Sequence, residues 1–290
     1  MNGAAQYRLG LVLVTASALA WSSAGYFTRL VPLDNWTLLF WRGVFAAIGM
    51  LAFILVLQGK AGLRSFAALG VPGWLYAIVS GLGMIFFITS LTLTTVAHVS
   101  IIYGTVPFVA AAVSWLALRE KPSATALLCS LLALLGVVVT VGFGLAGGSL
   151  LGDLLAFAMT LLMAGMMVIA RRYQSIPTLQ AAGLSAVLSA LACLPLVGTL
   201  MPSGGEFVQL ALFGLVNSAI GLALFTLGAR LIPAVETGLI GSLEVPLAPI
   251  WVWLAFGETA DRNTILGGAL VFVAVLTHLG LGARSRALAN

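Results

Sequence analysis

Charge is what this 290-residue chain has least of. Only 7% of its residues are Asp, Glu, Lys or Arg, against roughly a quarter in soluble domains. So few charges cannot cover a surface that meets water on every side, which excludes a soluble protein. Cysteine is scarce as well. Cys129 and Cys193 stand singly inside apolar runs, so neither a disulfide framework nor a thiolate metal site is expected. The HExxH and GxSxG patterns and paired membrane aspartates are missing. Intramembrane hydrolysis therefore has no carrier: an enzyme is not expected, and nothing asks for a cofactor or a metal. The net charge of +5 does not point to nucleic acid, because the longest basic cluster is Arg171-Arg172.

What is abundant is apolar length. The chain is 61% hydrophobic, with a mean hydropathy of +1.15. A bilayer core of ~30 Å takes about 20 apolar residues of helix. Ten runs qualify: 9–30, 35–57, 73–94, 97–118, 123–144, 150–171, 178–199, 207–230, 234–256 and 263–283. Between them stand turn and breaker residues such as Pro32, Gly59, Pro72, Pro122, Pro177, Pro202 and Pro233. Ala18-Leu19-Ala20 imitates a signal-peptide cleavage site. The apolar run continues past it to Tyr26, so the segment reads as a span.

An even number of spans puts both termini on one side. With that side cytoplasmic, Arg8, Lys60, Arg64, Arg119, Lys121, Arg171, Arg172, Arg230, Arg284 and Arg286 lie inside, and only Arg29, Arg42 and Arg262 lie in the outer half. This follows the positive-inside rule. The expected location is a bacterial-type inner membrane, crossed many times.

The two halves echo each other. Leu9-Gly10 opens the first run and Leu151-Gly152 the sixth; at the same offset Trp21 meets Met163 and Arg29 meets Arg171. Val106-Pro107 leads to Glu120 in WLALREKPS, and Val245-Pro246 leads to Glu258 in WLAFGETAD. The expected fold is an all-α membrane protein of ten transmembrane helices. It is a 5+5 inverted-topology repeat, with residues 1–145 and 146–290 as the two copies. Five is odd, so the second copy enters the membrane upside down, as in many secondary transporters.

These motifs carry a resemblance. Ten spans in two fives, Trp21-Ser22, Phe40-Trp41-Arg42 and the motifs running into Glu120 and Glu258 resemble the EamA-type branch of the drug/metabolite transporter superfamily. The resemblance implies a carrier of small metabolites, often an exporter of amino acids. The aromatic-rich central runs are similar to those of aromatic amino-acid exporters.

The residues themselves indicate where a cavity would lie. Tyr76, Ser80, Gly83, Phe87, Ser90 and Thr94 recur on one helical face. That pattern reads either as a cavity wall or as a close helix seam. Met159, Met163 and Met166 repeat at the same spacing and suit an adaptable apolar pocket or an ordinary core. Glu244 lies near mid-membrane, where a carboxylate costs about 3 kcal/mol unless protein or water receives it. Pro246 and Pro249 follow it, and Pro107 stands in the matching run; each is expected to free backbone carbonyls beside a polar cavity.

The substrate-binding candidates are Trp21, Tyr76, Ser80, Phe87, His98, Tyr103, Met163, Asn217 and Glu244. His98 also reads as a satisfied interfacial histidine. Pro107, Pro246, Glu120 and Glu258 are the helix-break and gating candidates. Arg42 is expected to snorkel or to pair with a carboxylate. The expected function is export of small amphipathic metabolites, amino acids and aromatic ones first, by alternating access. A multidrug cation–proton antiporter is the alternative, with Glu244 as the acid. A sugar-phosphate or nucleotide-sugar antiporter ranks lower, because no lysine lies within a span. The expected partners are a small-molecule substrate, the bilayer and a second copy of the chain, joined along the apolar fifth and tenth helices.

Overall fold

The computed structural model describes residues 3–141, 149–198, 200–257 and 262–287. Among them every regular element is helical. We number the helices by membrane crossing. α1 comprises Gly3–Ser22 and Ala24–Leu30; α2 is Asn35–Arg64, α3 is Gly70–Leu93. α4 comprises Val96–Tyr103 and Val106–Leu118, and α5 is Ala124–Val141. α6 is Leu150–Arg172 and α7 is Thr178–Cys193. α8 is Gly204–Leu212, a π-helical stretch Phe213–Ile220, and Gly221–Gly228. α9 comprises Ala234–Gly241 and Glu244–Phe256, and α10 is Arg262–Ala287. Among the described residues nine of these have the length and apolarity to cross a membrane, and α5 is a shorter apolar helix.

Polar residues set the helix starts. Asp34 caps α2, accepting hydrogen bonds from the Trp36 and Thr37 amides at 3.1 and 3.0 Å. Ser203 and Glu206 form a reciprocal capping box on α8, and Ser149 caps α6 through the Gly152 amide. α2 runs further than its apolar run. Gly59 adopts φ 59°, ψ −153° and bends the helix rather than ending it, a conformation open essentially to glycine alone.

The repeat is visible in the packing. Exchanging α1 to α5 with α6 to α10 turns each main contact into another. α3 packs on α6 as α8 packs on α1; α3 packs on α7 as α8 packs on α2; α4 packs on α6 as α9 packs on α1. α2 with α7, α4 with α9 and α5 with α10 are contacts between equivalent helices. An odd number of crossings per copy makes this relation a pseudo-two-fold in the membrane plane.

The correspondence reaches single residues in α4 and α9. Each has a first piece of 8 residues, a two-residue break and a second piece of 13 residues. Each second piece ends on a left-handed residue, Arg119 at φ 56° and Gly257 at φ 69°, whose amide bonds back to Trp115 and Trp253 respectively. The breaks fall at Gly104-Thr105 and Ser242-Leu243, ahead of the prolines. Pro107 and Pro246 therefore occupy the first turn of a new helix, where a missing N–H costs nothing. This corrects the expectation that the prolines break the helices themselves.

α5 and α10 meet through glycine. A Cβ at Gly136 would lie 2.7 Å from the Gly267 carbonyl oxygen. The two helices thus bury their small residues on each other and present Leu128, Leu131, Leu276 and other apolar side chains outward.

Candidate functional site

Four of the helices are irregular along their length, and the π stretch of α8 links the α1 break to Arg42 of α2 through Asn217. α1 breaks at Ser23, α4 at Gly104-Thr105, α9 at Ser242-Leu243, and α8 opens into its π stretch. An open turn leaves backbone carbonyls without helical partners, and lipid supplies none. Side chains satisfy them instead. Asn217, inside the π stretch, donates to the carbonyls of Ala20 and Trp21 at 3.2 and 2.9 Å. In return Ser17 of α1 donates to the carbonyl of Gly221 in α8 at 2.8 Å. The Ser22 and Ser23 hydroxyls donate to the Leu19 and Ala20 carbonyls at 2.7 and 2.6 Å, and Trp251 of α9 donates to the Ser22 hydroxyl at 2.9 Å.

α8 reaches these partners because its glycines admit close backbone approach. A Cβ at Gly214 would lie 2.8 Å from the Arg42 carbonyl oxygen, and one at Gly221 would lie 2.6 Å from the Trp21 ring.

Arg42 is 8% exposed. Its guanidinium lies 3.5 Å from Asn217 Oδ1, touches the Met84 sulfur and stands 5.4 Å from the centre of the Phe213 ring. Phe213 stacks on Phe27 at 5.1 Å. Glu244, the first residue after the α9 break, is close enough for its charge to act on Arg42 and on Tyr103, the last residue before the α4 break. Glu244, Tyr103 and Trp21 each keep part of their surface open. An acid and a guanidinium thus lie in an apolar, aromatic interior region, the Arg42 chamber. A largely apolar groove of about 590 Å³ runs beside the α1 break, lined by Ala20, Ser23, Tyr26, Val216 and Trp251 among others.

The other sequence candidates fall elsewhere. Met163, like Trp21 and Tyr103, packs against the largest buried cluster. Phe87 sits with Tyr103 and Met159 in the neighbouring one. Tyr76 is wholly buried, and its hydroxyl pairs with Thr226 of α8 at 2.7 Å. Ser80 donates to Ser185 of α7 at 3.1 Å. Over that stretch the α3 stripe is a seam between helices, not an open wall. His98 lies 2.9 Å from Asp153, which also accepts from Thr94 at 2.7 Å. That cluster joins α3, α4 and α6 about 7.5 Å along the helix axis from Tyr103. Glu120 pairs with Arg171 at 2.9 Å and ties the end of α4 to the end of α6. Glu258 lies outside the described residues.

Arg42 is the residue that the sequence undervalued. A lone arginine inside a span that begins at Asp34 allows both a snorkelling and an inward side chain. Met84 and Phe213 carried no signal, since apolar side chains look alike until helices are placed.

The sequence profile of the EamA-like transporter family matches residues 8–142 and again residues 150–279. No curated protein matches the chain. Among solved structures, one crystal structure is similar with a TM-score of 0.81 and 20% identity, covering 94% of this chain and 98% of its own. At that identity the likeness is one of fold.

Proposed function

The chain belongs to the EamA-like transporter family, and from that premise we propose that it carries small zwitterionic metabolites across the membrane by alternating access, amino acids with apolar or aromatic side chains foremost. One observation supports the cargo class: Arg42 on α2 and Glu244 on α9 lie near enough inside the helix bundle for each charge to act on the other without pairing directly. An α-carboxylate meets the arginine and an α-ammonium meets the glutamate, each charge replacing lost water with an opposite charge. Trp21, Tyr103, Phe87 and Met163 then receive the side chain. Such a pocket is mainly apolar with few orienting groups, as small-molecule sites are. A multidrug cation exporter fits less well, because Arg42 already opposes the charge of Glu244.

The helix breaks are the natural hinges. α4 and α9 each bend ahead of a proline, and rocking one repeat against the other moves both breaks together. The excess of basic residues at one set of helix ends supports cytoplasmic termini, and the resemblance to exporters supports an outward direction of transport. Counterflow with purified protein in liposomes tests the reading, using a panel of amino acids, sugar phosphates and cationic dyes. Exchange of phenylalanine or tyrosine that disappears in Arg42→Gln is expected. Exchange of dyes alone, insensitive to Arg42, would replace the reading with the cation one.

A further inference from the structure

A polar cavity lies away from the chamber, where α2 and α8 end and α7 begins. It measures about 290 Å³ and is lined by Gln58, Ser65, Gln174, Thr178, Gln180 and Arg230 among others. It begins with a helix end. α7 starts at Thr178 behind Pro177, which supplies no side-chain cap, so the first amides of α7 have no partner within the helix. A helix start carries about half a positive charge. Arg230 sits on it, its Nη1 donating to the Thr178 hydroxyl at 3.2 Å and its Nη2 to the Gln174 carbonyl. Two positive ends thus meet, and no acidic residue lines the cavity among the described residues. Arg230 Nε is buried without a hydrogen-bond partner. Arrangements of this kind are stabilised by an anion.

Gln180 adds the opposite demand. It is fully buried. Its amide nitrogen donates to the Gly62 carbonyl at 2.9 Å and to Gln58 Oε1 at 2.7 Å. A carbonyl only accepts, so the nitrogen's position is fixed and Oε1 must be the atom turned the other way. That Oε1 has no partner. A buried acceptor left unmade costs about 1–3 kcal/mol, and a donor from a ligand removes the cost.

We propose that this cavity binds a zwitterionic head group, with the anion on the α7 start and Arg230 and the ammonium on Gln180 Oε1. A free amino acid and an ethanolamine lipid head group share this chemistry. The site is separate from the Arg42 chamber and stands or falls apart from it.

The test is equilibrium binding of labelled L-phenylalanine to the full chain in nanodiscs of phosphatidylglycerol, repeated with half phosphatidylethanolamine. Two sites per chain are expected, falling to one in Arg230→Gln and to a different one in Arg42→Gln. Thr178→Val and Gln180→Leu provide the same reading should Arg230→Gln not fold. At the Arg230 site, 3-phenylpropionate and phenethylamine, each lacking one charge, are expected to compete at least tenfold more weakly than phenylalanine. Displacement of phenylalanine by the ethanolamine lipid, lost in Arg230→Gln, supports the site and assigns its occupant to the bilayer. Binding that depends on Arg42 but not on Arg230, Thr178 or Gln180 overturns the site and leaves the chamber standing. Binding that depends on Arg230 alone does the reverse. Equal competition by 3-phenylpropionate overturns the role of Gln180.

Discussion

The α1–α8 contact and the α6–α3 contact occupy equivalent places in the repeat, yet they are built differently. Gly221 and Gly228 of α8 press against Trp21 and Val14 of α1, where a Cβ would lie 2.6 and 2.7 Å away. Midway along the equivalent contact, a Cβ at Gly83 would find Leu162 at 3.7 Å and one at Gly165 would find Val79 at 4.0 Å, which are ordinary distances; the tight glycine there stands at the end of the contact, Gly152 against Thr94 at 2.6 Å. α6 is unbroken where α1 is broken, and α3 is regular where α8 is π-helical. The polar pairs differ in the same sense. Arg42 is the eighth residue of α2 and reaches Asn217 of α8. Ser185 is the eighth residue of α7 and reaches Ser80 of α3. An arginine–asparagine pair on one side of the two-fold corresponds to a pair of hydroxyls on the other. Packing needs only the symmetric part of the design, and the departures from symmetry collect around Arg42 and Glu244. This is where chemistry that distinguishes one end of a cargo from the other would be placed.

The largest effect is expected on transport. Arg42→Gln should lower exchange about 100-fold, a loss of about 2.7 kcal/mol, while Ser185→Ala should stay within twofold; initial rates in liposomes measure both. The next is on stability. Gly214→Ala drives a methyl against the Arg42 carbonyl at 2.8 Å and should destabilise by about 2–3 kcal/mol, as overpacking does. Gly83→Ala should change stability by less than about 0.5 kcal/mol. Unfolding in mixed micelles would show the difference, and equal effects would break the comparison.

Helix ends give smaller effects. α2 is capped by Asp34, and its counterpart α7 by nothing. Asp34→Ala should cost about 1 kcal/mol. Partial burial raises the Asp34 carboxyl, but the hydrogen bonds from Thr37 and Trp36 together hold it below its ordinary 3.8. Its contribution is therefore complete above that value and fades as the pH falls below it. The difference in melting temperature between wild type and Asp34→Ala should close in that window. Last, Gly257→Ala should cost about 1 kcal/mol and Arg119→Gly should gain a similar amount, because both positions are left-handed and only one carries the residue suited to it.

Much of the fold was legible because a membrane span writes itself in length and hydropathy. The repeat was legible where both copies kept the same punctuation, Val-Pro followed by Trp-Leu-Ala and a glutamate. The two-residue breaks ahead of Pro107 and Pro246 were not. Proline marks the neighbourhood of a bend, while the bend itself settles where hydroxyls such as Thr105 and Ser242 can hold a carbonyl. Glu244, Asn217, Trp21 and Tyr103 were nameable as polar or aromatic groups at mid-span. That Asn217 bonds to the α1 break and to Arg42, and that Glu244 lies near Arg42 and Tyr103, depends on which helices are neighbours, and periodicity carries no such information. Tyr76 illustrates the opposite case: a striped face looks the same whether it borders a cavity or, as here, Thr226 of α8.

The central claim is that the broken and π-helical segments enclose the cargo chamber. Its most direct test is thiol labelling in a Cys129→Ala, Cys193→Ala background, with a small charged methanethiosulfonate reagent and transported amino acid as protectant. Single cysteines at Trp21 and Tyr103 are predicted to react and to be protected, while one at Tyr76 stays silent. Reaction and protection at Tyr76, with Trp21 and Tyr103 inert, would contradict the account.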